Sequence, residues 1–251
     1  MGLLDDKVII VTGATSGIGE ATAIEIAREG GRVVLAGRRE DRGKAILKKI
    51  KKEKGIGYFV RTDVTKEKDI KNLVDLTEKK YGKLDGAFNN AGSANLFGTL
   101  DTITTDAYDQ LMDVNLRSIF LCMKYEIPKM KKNGSGAIVN CSSMVGLVAF
   151  PQFGVYVATK HGVIGLSKSA AVDHGKDGIR VNCVLPGPIE TELWSHFSCG
   201  SEVVKNLADS TLLKRSAKPI EIAKPVVFLL SDSASYITGA LLSVDGGITA
   251  I

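Results

Sequence analysis

Tyr156 and Lys160 place a phenol and an ammonium four residues apart in GVYVATKHGVIGL (154–166), among small and apolar neighbours. On a helix, residues i and i+4 share a face, so the two groups project together toward one place. A free phenol ionises near pH 10, and a cation beside it favours the phenolate. The pair therefore suits proton transfer to or from an oxygen. Two hydroxyls, Ser142 and Ser143, end the apolar run GAIVNCSS at 136–143. A hydroxyl so placed can donate to an oxygen on which charge develops. His161 adjoins Lys160 but points about 100° away around the helix, which makes it a structural residue.

A second set of residues suits a phosphate. TGATSGIG (12–19) lies between a β-branched run, KVIIVT (7–12), and a segment of helical apolar spacing, GIGEATAIEIAREG (17–30). Gly13, Gly17 and Gly19 let the backbone turn sharply and approach an anion without Cβ clashes, with Thr15, Ser16 and Ile18 completing the loop. The helix start presents unpaired N–H groups and the positive end of its dipole. The spacing is G-x-x-x-G-x-G rather than G-x-G-x-x-G, but its place at the first strand-to-helix turn predicts a dinucleotide site. Such sites commonly carry an acid about 20 residues on, bound to the adenosine ribose hydroxyls. Here the second strand ends VLAGRRED, with Gly37 at the acid's position and Arg38 and Arg39 after it. An acid repels a 2′-phosphate, whereas a guanidinium binds it bidentately. NADP(H) is therefore favoured over NAD(H). Glu40 and Asp41 stand close enough to pair with the arginines, which keeps NAD(H) open.

These groups must be positioned by alternating strands and helices. Strand-like runs occur at 7–12, 32–37, 58–64, 84–92, 136–143, 179–187 and 240–247. Helical spacing fills about 17–30, 41–54, 66–80, 105–132, 154–174 and 219–231 between them. Fully apolar strands alternating with helices predict an α/β fold, a single Rossmann-type doubly wound parallel sheet of about seven strands with helices on both faces. No linker, repeat or low-complexity tract divides residues 1–251, which read as one NAD(P)-binding domain. The segment at about 190–215 has the weakest periodicity, and a long irregular stretch in a compact domain reads as a substrate lid. It carries Trp194, His196 and Phe197, candidates for substrate contact.

With these motifs in order, the chain resembles the short-chain dehydrogenase/reductase family in its single-domain form, over nearly its full length. TGATSGIG matches the family's TGxxxGxG; DV (63–64), NNAG (89–92), VNLRS (114–118), CSS (141–143), YVATK (156–160) and PGPIET (186–191) match its further motifs. The resemblance implies a catalytic set of Asn115, Ser143, Tyr156 and Lys160. Tyr156 would be the general acid/base, and Lys160 would also bind the nicotinamide ribose. Ser143, thirteen residues before the tyrosine, would bond the substrate oxygen, with Ser142 a neighbour on the cofactor side. Asn115 would hold a water linking Lys160 to solvent. Asp63 and Val64 would flank the adenine. Asn90, Ala91 and Gly92 would line the adenosine ribose side, and Pro186, Gly187, Ile189 and Thr191 would hold the nicotinamide.

The implied activity is hydride transfer between NADP(H) and a small secondary alcohol or ketone. LDGAFNNAG, FLCMKYEIPKM and the ending DGGITAI are similar to members acting on small cyclic alcohols and diols. An NAD-dependent dehydrogenase of such an alcohol is the alternative. A catalytically silent nucleotide-binding protein would not need the intact Ser143, Tyr156 and Lys160. An epimerase or dehydratase would usually need a longer substrate domain. Small residues at Ala158, Gly162, Gly165 and Ser169 form a stripe on the far face of the same helix, which the family commonly pairs across a two-fold axis. A homotetramer or homodimer is expected.

Composition narrows the classes further. Net charge is +5, from 33 Lys and Arg against 28 Asp and Glu. The basic clusters KKIKKEK (48–54) and KMKK (129–132) lack interleaved aromatics, so they read as solvated helix faces and no nucleic acid is expected. Cys122, Cys141, Cys183 and Cys199 show no metal or CxxC spacing, so reduced thiols and no metal are expected. No secretory leader precedes KVIIVT and no apolar run spans a bilayer, so the expectation is a cytoplasmic protein without a membrane partner.

Overall fold

The computed structural model describes residues 2–192 and 200–250, with the backbone alone for 200–204. Seven strands form one sheet: β1 (Val8–Thr12), β2 (Arg32–Gly37), β3 (Ile56–Arg61), β4 (Gly86–Asn89), β5 (Gly136–Cys141), β6 (Ile179–Pro186) and β7 (Leu241–Val244). Their order is β3-β2-β1-β4-β5-β6-β7, and all pairings are parallel. The expected Rossmann-type sheet is therefore present. Its order reverses between β1 and β4, the switch point at which such sheets open a crevice beyond the strand ends.

The inner strands bury both faces because their residues alternate between two cores. Ile9, Val11, Val33, Leu35 and Val139 point to one side, where α1 (Gly17–Arg28), α2 (Glu40–Lys52) and α8 (Pro219–Leu230) add Ile26, Ile46 and Val226. Ile10, Val34, Ile138 and Val181 point to the other, where α3 (Glu67–Tyr81), α5 (Ser118–Asn133) and α6 (Gly154–His174) add Leu73, Met123 and Val163. Each such aliphatic side chain contributes about 1.5–3 kcal/mol on full burial.

Two elements add detail to the sequence expectation. The helical region at 105–132 is interrupted. α4 (Thr105–Met112) passes into a wide π turn, Asp113–Arg117, before α5 begins. Asn115 sits in that turn, almost wholly buried. The segment expected to be irregular contains α7 (Gly200–Ser210), where Val203, Val204, Leu207 and Ala208 recur at helical spacing. Trp194, His196, Phe197 and Cys199 lie outside the described residues. Cys122, Cys141 and Cys183 are buried and unpaired. Among the described residues no helix is long and apolar enough to cross a membrane.

Candidate active site

The expected site residues gather at the C-terminal ends of β1 to β6, in two joined clefts. One, of about 470 Å³, is lined by Gly13, Thr15, Ser16, Gly17, Arg38, Arg39, Asp63, Val64, Ala91 and Glu192. The other, of about 360 Å³, is lined by Ser143, Tyr156, Lys160, Pro186, Gly187, Phe97, Phe153 and Leu207. Ile18, Asn90, Gly92 and Thr191 line both.

The loop after β1 needs its glycines. Gly13 and Gly17 have φ of 64° and 54°, the left-handed region where a side chain is strained. Gly19 does not line either cleft: a Cβ there would lie 2.2 Å from the Gly13 carbonyl oxygen, so it serves the close packing of helix under loop. The Ala14 N–H donates to Ala36 O, tying the loop to β2. Asn90 closes it from the other side, its Nδ2 donating to Thr12 O at 3.1 Å. A Cβ on Gly37 would lie 2.8 Å from the Thr15 methyl, so the acid's usual position has no room for a side chain. Glycines that open a cradle, free helix-start amides and flanking arginines fit a dinucleotide phosphate group.

Asp63 and Val64 sit at the end of β3 on the same cleft. Burial pushes the Asp63 carboxyl up. Bonds from the Thr65 hydroxyl and amide, with Arg38 and Lys66 nearby, outweigh it and hold the group below its ordinary range. Arg39 turns over the phosphate loop. Its Nε reaches Thr15 Oγ1 at 3.3 Å, its Nη2 reaches Ser16 Oγ at 2.6 Å, and its Nη1 pairs with Glu192 at 3.1 Å.

The second cleft is built around α6. Lys160 is buried, and its Nζ donates to Cys141 O at 2.9 Å. That nitrogen lies 5.6 Å from the centre of the Tyr156 ring. The helix is pinned by Ser142, whose Oγ donates to Lys160 O at 2.8 Å; Ser142 is thus a fastening for the lysine's own turn. Ser143 faces the cleft, its Oγ accepting from Val145 N at 3.4 Å, which leaves the O–H to donate. Asn115 clasps the chain after β4: Ser93 N donates to its Oδ1 at 2.7 Å and its Nδ2 donates to Ser93 O at 2.8 Å. The same Nδ2 reaches Thr159 Oγ1 at 3.3 Å, and Thr159 donates to Tyr156 O at 2.7 Å. A Cβ placed on Gly92 would lie 3.1 Å from Asn115 Oδ1 and 3.8 Å from Lys160 Nζ, so the glycine leaves room between them. The remaining wall is apolar, with Phe97 edge-on to Phe153 at 5.2 Å and Phe153 to Tyr156 at 6.2 Å.

Comparison with known proteins identifies the family. A family model described as enoyl-(acyl carrier protein) reductase, of the short-chain dehydrogenase/reductase type, matches residues 13–249. The chain belongs to the short-chain dehydrogenase/reductase family. It is 40% identical to a 3beta-hydroxysteroid dehydrogenase of Mediterraneibacter gnavus, over 99% of this chain and 97% of that one. It is 40% identical over the full length of both chains to a 2,5-dichloro-2,5-cyclohexadiene-1,4-diol dehydrogenase of Sphingobium indicum. The crystal structure of levodione reductase superposes with a TM-score of 0.94 at 31% identity, covering 98% of this chain and 99% of that one. This short-chain dehydrogenase/reductase is an oxidoreductase of CH–OH groups, in a family that uses NAD(P).

Sequence reasoning missed Ser93, Thr159, Arg42 and Glu192. Ser93 and Thr159 hold Asn115 through bonds across 22 and 44 residues, which leave no pattern in the chain. Arg42 and Glu192 meet across 150 residues.

Proposed function

We propose that the chain interconverts a small secondary alcohol, cyclic or open-chain, and its ketone, with NADP(H) as the favoured partner. The observation that carries this is the buried Lys160 ammonium, fixed on Cys141 O beside the Tyr156 ring in the second cleft. When bound, the nicotinamide supplies the hydride acceptor or donor. The chain's own residues do the rest. Tyr156 takes the proton from the alcohol, or returns one to the forming alkoxide. Lys160 places a positive charge beside the phenol ring, 5.6 Å from its centre. Ser143 donates its O–H to the same substrate oxygen.

Asn115 positions α6 through Thr159 and would hold a water that links Lys160 to solvent. Gly13, Thr15, Ser16, Gly17 and Ile18 would hold the phosphates, and Arg38 and Arg39 the 2′-phosphate. Asp63 and Val64 would flank the adenine, with Pro186, Gly187, Ile189 and Thr191 against the nicotinamide. The apolar wall of Phe97 and Phe153 suits a ring, in keeping with the diol and steroid named for the relatives. Leu207 of α7 lines this cleft, in keeping with a lid role for the segment at 190–215.

The protein would work in the cytoplasm as a homotetramer or homodimer. Ala158, Gly165 and Ser169 are exposed, with open space at Gly165, whereas Gly162 packs on Leu116 of its own chain. A second reading, an NAD-dependent dehydrogenase of a cyclic alcohol or diol, is favoured by the Arg39–Glu192 pair, which already occupies one guanidinium. A matrix of both cofactors against small cyclic and aliphatic alcohols and ketones tests the choice. NADP(H) with cyclic substrates is expected to give the highest kcat/KM. Clear superiority of NAD(H) would overturn the role given to the arginines.

A further inference from the structure

The adenosine cleft contains a carboxylate that the expected cofactor set does not use. Glu192 lines the same cleft as Arg38, Arg39, Asp63 and the phosphate loop. Its Oε2 accepts from Arg39 Nη1 at 3.1 Å, and its Oε1 pairs with Arg42 Nη1. Arg39 precedes α2 and Arg42 lies in its first turn, so one acid from beyond β6 holds both guanidinium groups at the end of β2. The remaining Arg39 nitrogens are spent on Thr15 and Ser16 of the phosphate loop. Bonds from Arg42 and Arg39 hold the Glu192 carboxyl below its ordinary range, so it is charged at neutral pH.

We propose that Glu192 sets the selectivity between the two nicotinamide cofactors, by holding Arg39 and Arg42 against capture by a 2′-phosphate. This rests on the reading of the cleft as a dinucleotide site. A phosphate and a carboxylate are both acceptors for the same guanidinium edges. To bind both arginines a 2′-phosphate must displace Glu192 and must also face its negative charge. A ribose 2′-hydroxyl meets neither cost. Glu192 therefore lowers the affinity for NADP(H) and leaves that for NAD(H) nearly unchanged. The ratio of the two is then a property of one exposed acid as well as of the arginines.

The test is calorimetric titration of 2′,5′-ADP and 5′-AMP into the wild-type protein, Glu192→Gln and Glu192→Ala. For both variants 2′,5′-ADP is expected to bind about three- to tenfold more tightly, the range for one or two partly exposed ion pairs, while 5′-AMP stays within about twofold. The kcat/KM ratio of NADP(H) to NAD(H) should rise by the same factor. Equal changes for both nucleotides would make Glu192 a prop for the phosphate loop and overturn the proposal, as would no change. If neither nucleotide binds the wild-type protein, the dinucleotide reading itself fails and the proposal with it. A wild-type preference for NAD(H) would not sink it, because the variants are read as a change in ratio.

Discussion

In the substrate half of the cleft, Lys160 is buried and its ammonium donates to a strand carbonyl at 2.9 Å. In the adenosine half, the Arg39 side chain is 44% exposed and bonds to loop residues and to an equally exposed acid. The first cation is placed by backbone and by Ser142 and Asn115, which are themselves buried. The second is placed by side chains that water can compete with. A proton-transfer pair needs sub-ångström placement and low mobility, which buried, fully bonded groups supply. Recognition of one phosphate tolerates looser positioning, and its partners can be exchanged at small cost.

The comparison breaks most visibly at the phenol. Tyr156→Phe keeps the ring edge against Phe153 and removes only the O–H. Turnover is expected to fall about a thousandfold, the scale of a lost general acid/base, with cofactor affinity held within about twofold. Steady-state kinetics and fluorescence titration of reduced cofactor separate the two. Retained turnover would end the proton-transfer role of Tyr156.

A further buried polar network lies in the core beneath the clefts. Asn89 Nδ2 donates to Glu126 Oε2 and to Asn140 Oδ1, both at 3.0 Å, and Asn140 reaches Ser167 on α6 at 2.8 Å. Burial pushes the Glu126 carboxyl up to about 7, only partly offset by the Asn89 bond. The folded protein therefore holds that proton more tightly than the unfolded chain does. Stability falls as pH rises from about 4.5 to about 7, by about 3 kcal/mol in all, and does not return above that range. Glu126→Gln stays neutral at every pH and keeps an oxygen to accept from Asn89 Nδ2. Denaturant unfolding at about pH 9 should find the variant more stable than wild type, with the gap closing near pH 5. A gap independent of pH would place the effect in packing rather than in charge.

The same division decided what the chain's order of residues could reveal. The sheet was legible because β1, β2, β5 and β6 are short apolar runs rich in valine and isoleucine, buried on both faces and so without alternation to misread. Tyr156 and Lys160 were legible because four residues on a helix fix a shared face. Ser142 and Ser143 are adjacent and chemically alike: the family spacing to Tyr156 selects Ser143, and the structure adds the bond from Ser142 to Lys160 O. The π turn around Asn115 carries no spacing of its own, and α7 was hidden by the polar residues around its apolar positions. Glu192 could not be read at all, since its meaning depends on two arginines that reach it only after six strands have aligned.

A smaller effect is expected at the aromatic wall. Phe153→Ala removes the ring that stands between Phe97 and Tyr156 and opens the side on which a substrate ring would rest. KM for a cyclic alcohol should rise about three- to tenfold, the worth of one aromatic contact, and KM for a short aliphatic alcohol much less. A parallel rise for both would mean that Phe153 supports the catalytic tyrosine rather than the substrate.

The smallest expected effect sharpens the contrast within one helix. His161 follows Lys160 directly, and its residue type invites a catalytic role. Yet it is exposed, and its Nδ1 lies 3.0 Å from Val157 O, one turn back on its own helix. A carbonyl only accepts, so Nδ1 carries the proton and the ring is tied to the outer face. One step along the chain thus separates a buried cation that orders the site from an imidazole that does not enter it. His161→Ala should change kcat/KM by less than about twofold and leave the shape of its pH profile intact, because no proton of the reaction passes through it. A lost limb in that profile would move the acid/base chemistry off the tyrosine and onto the neighbouring histidine.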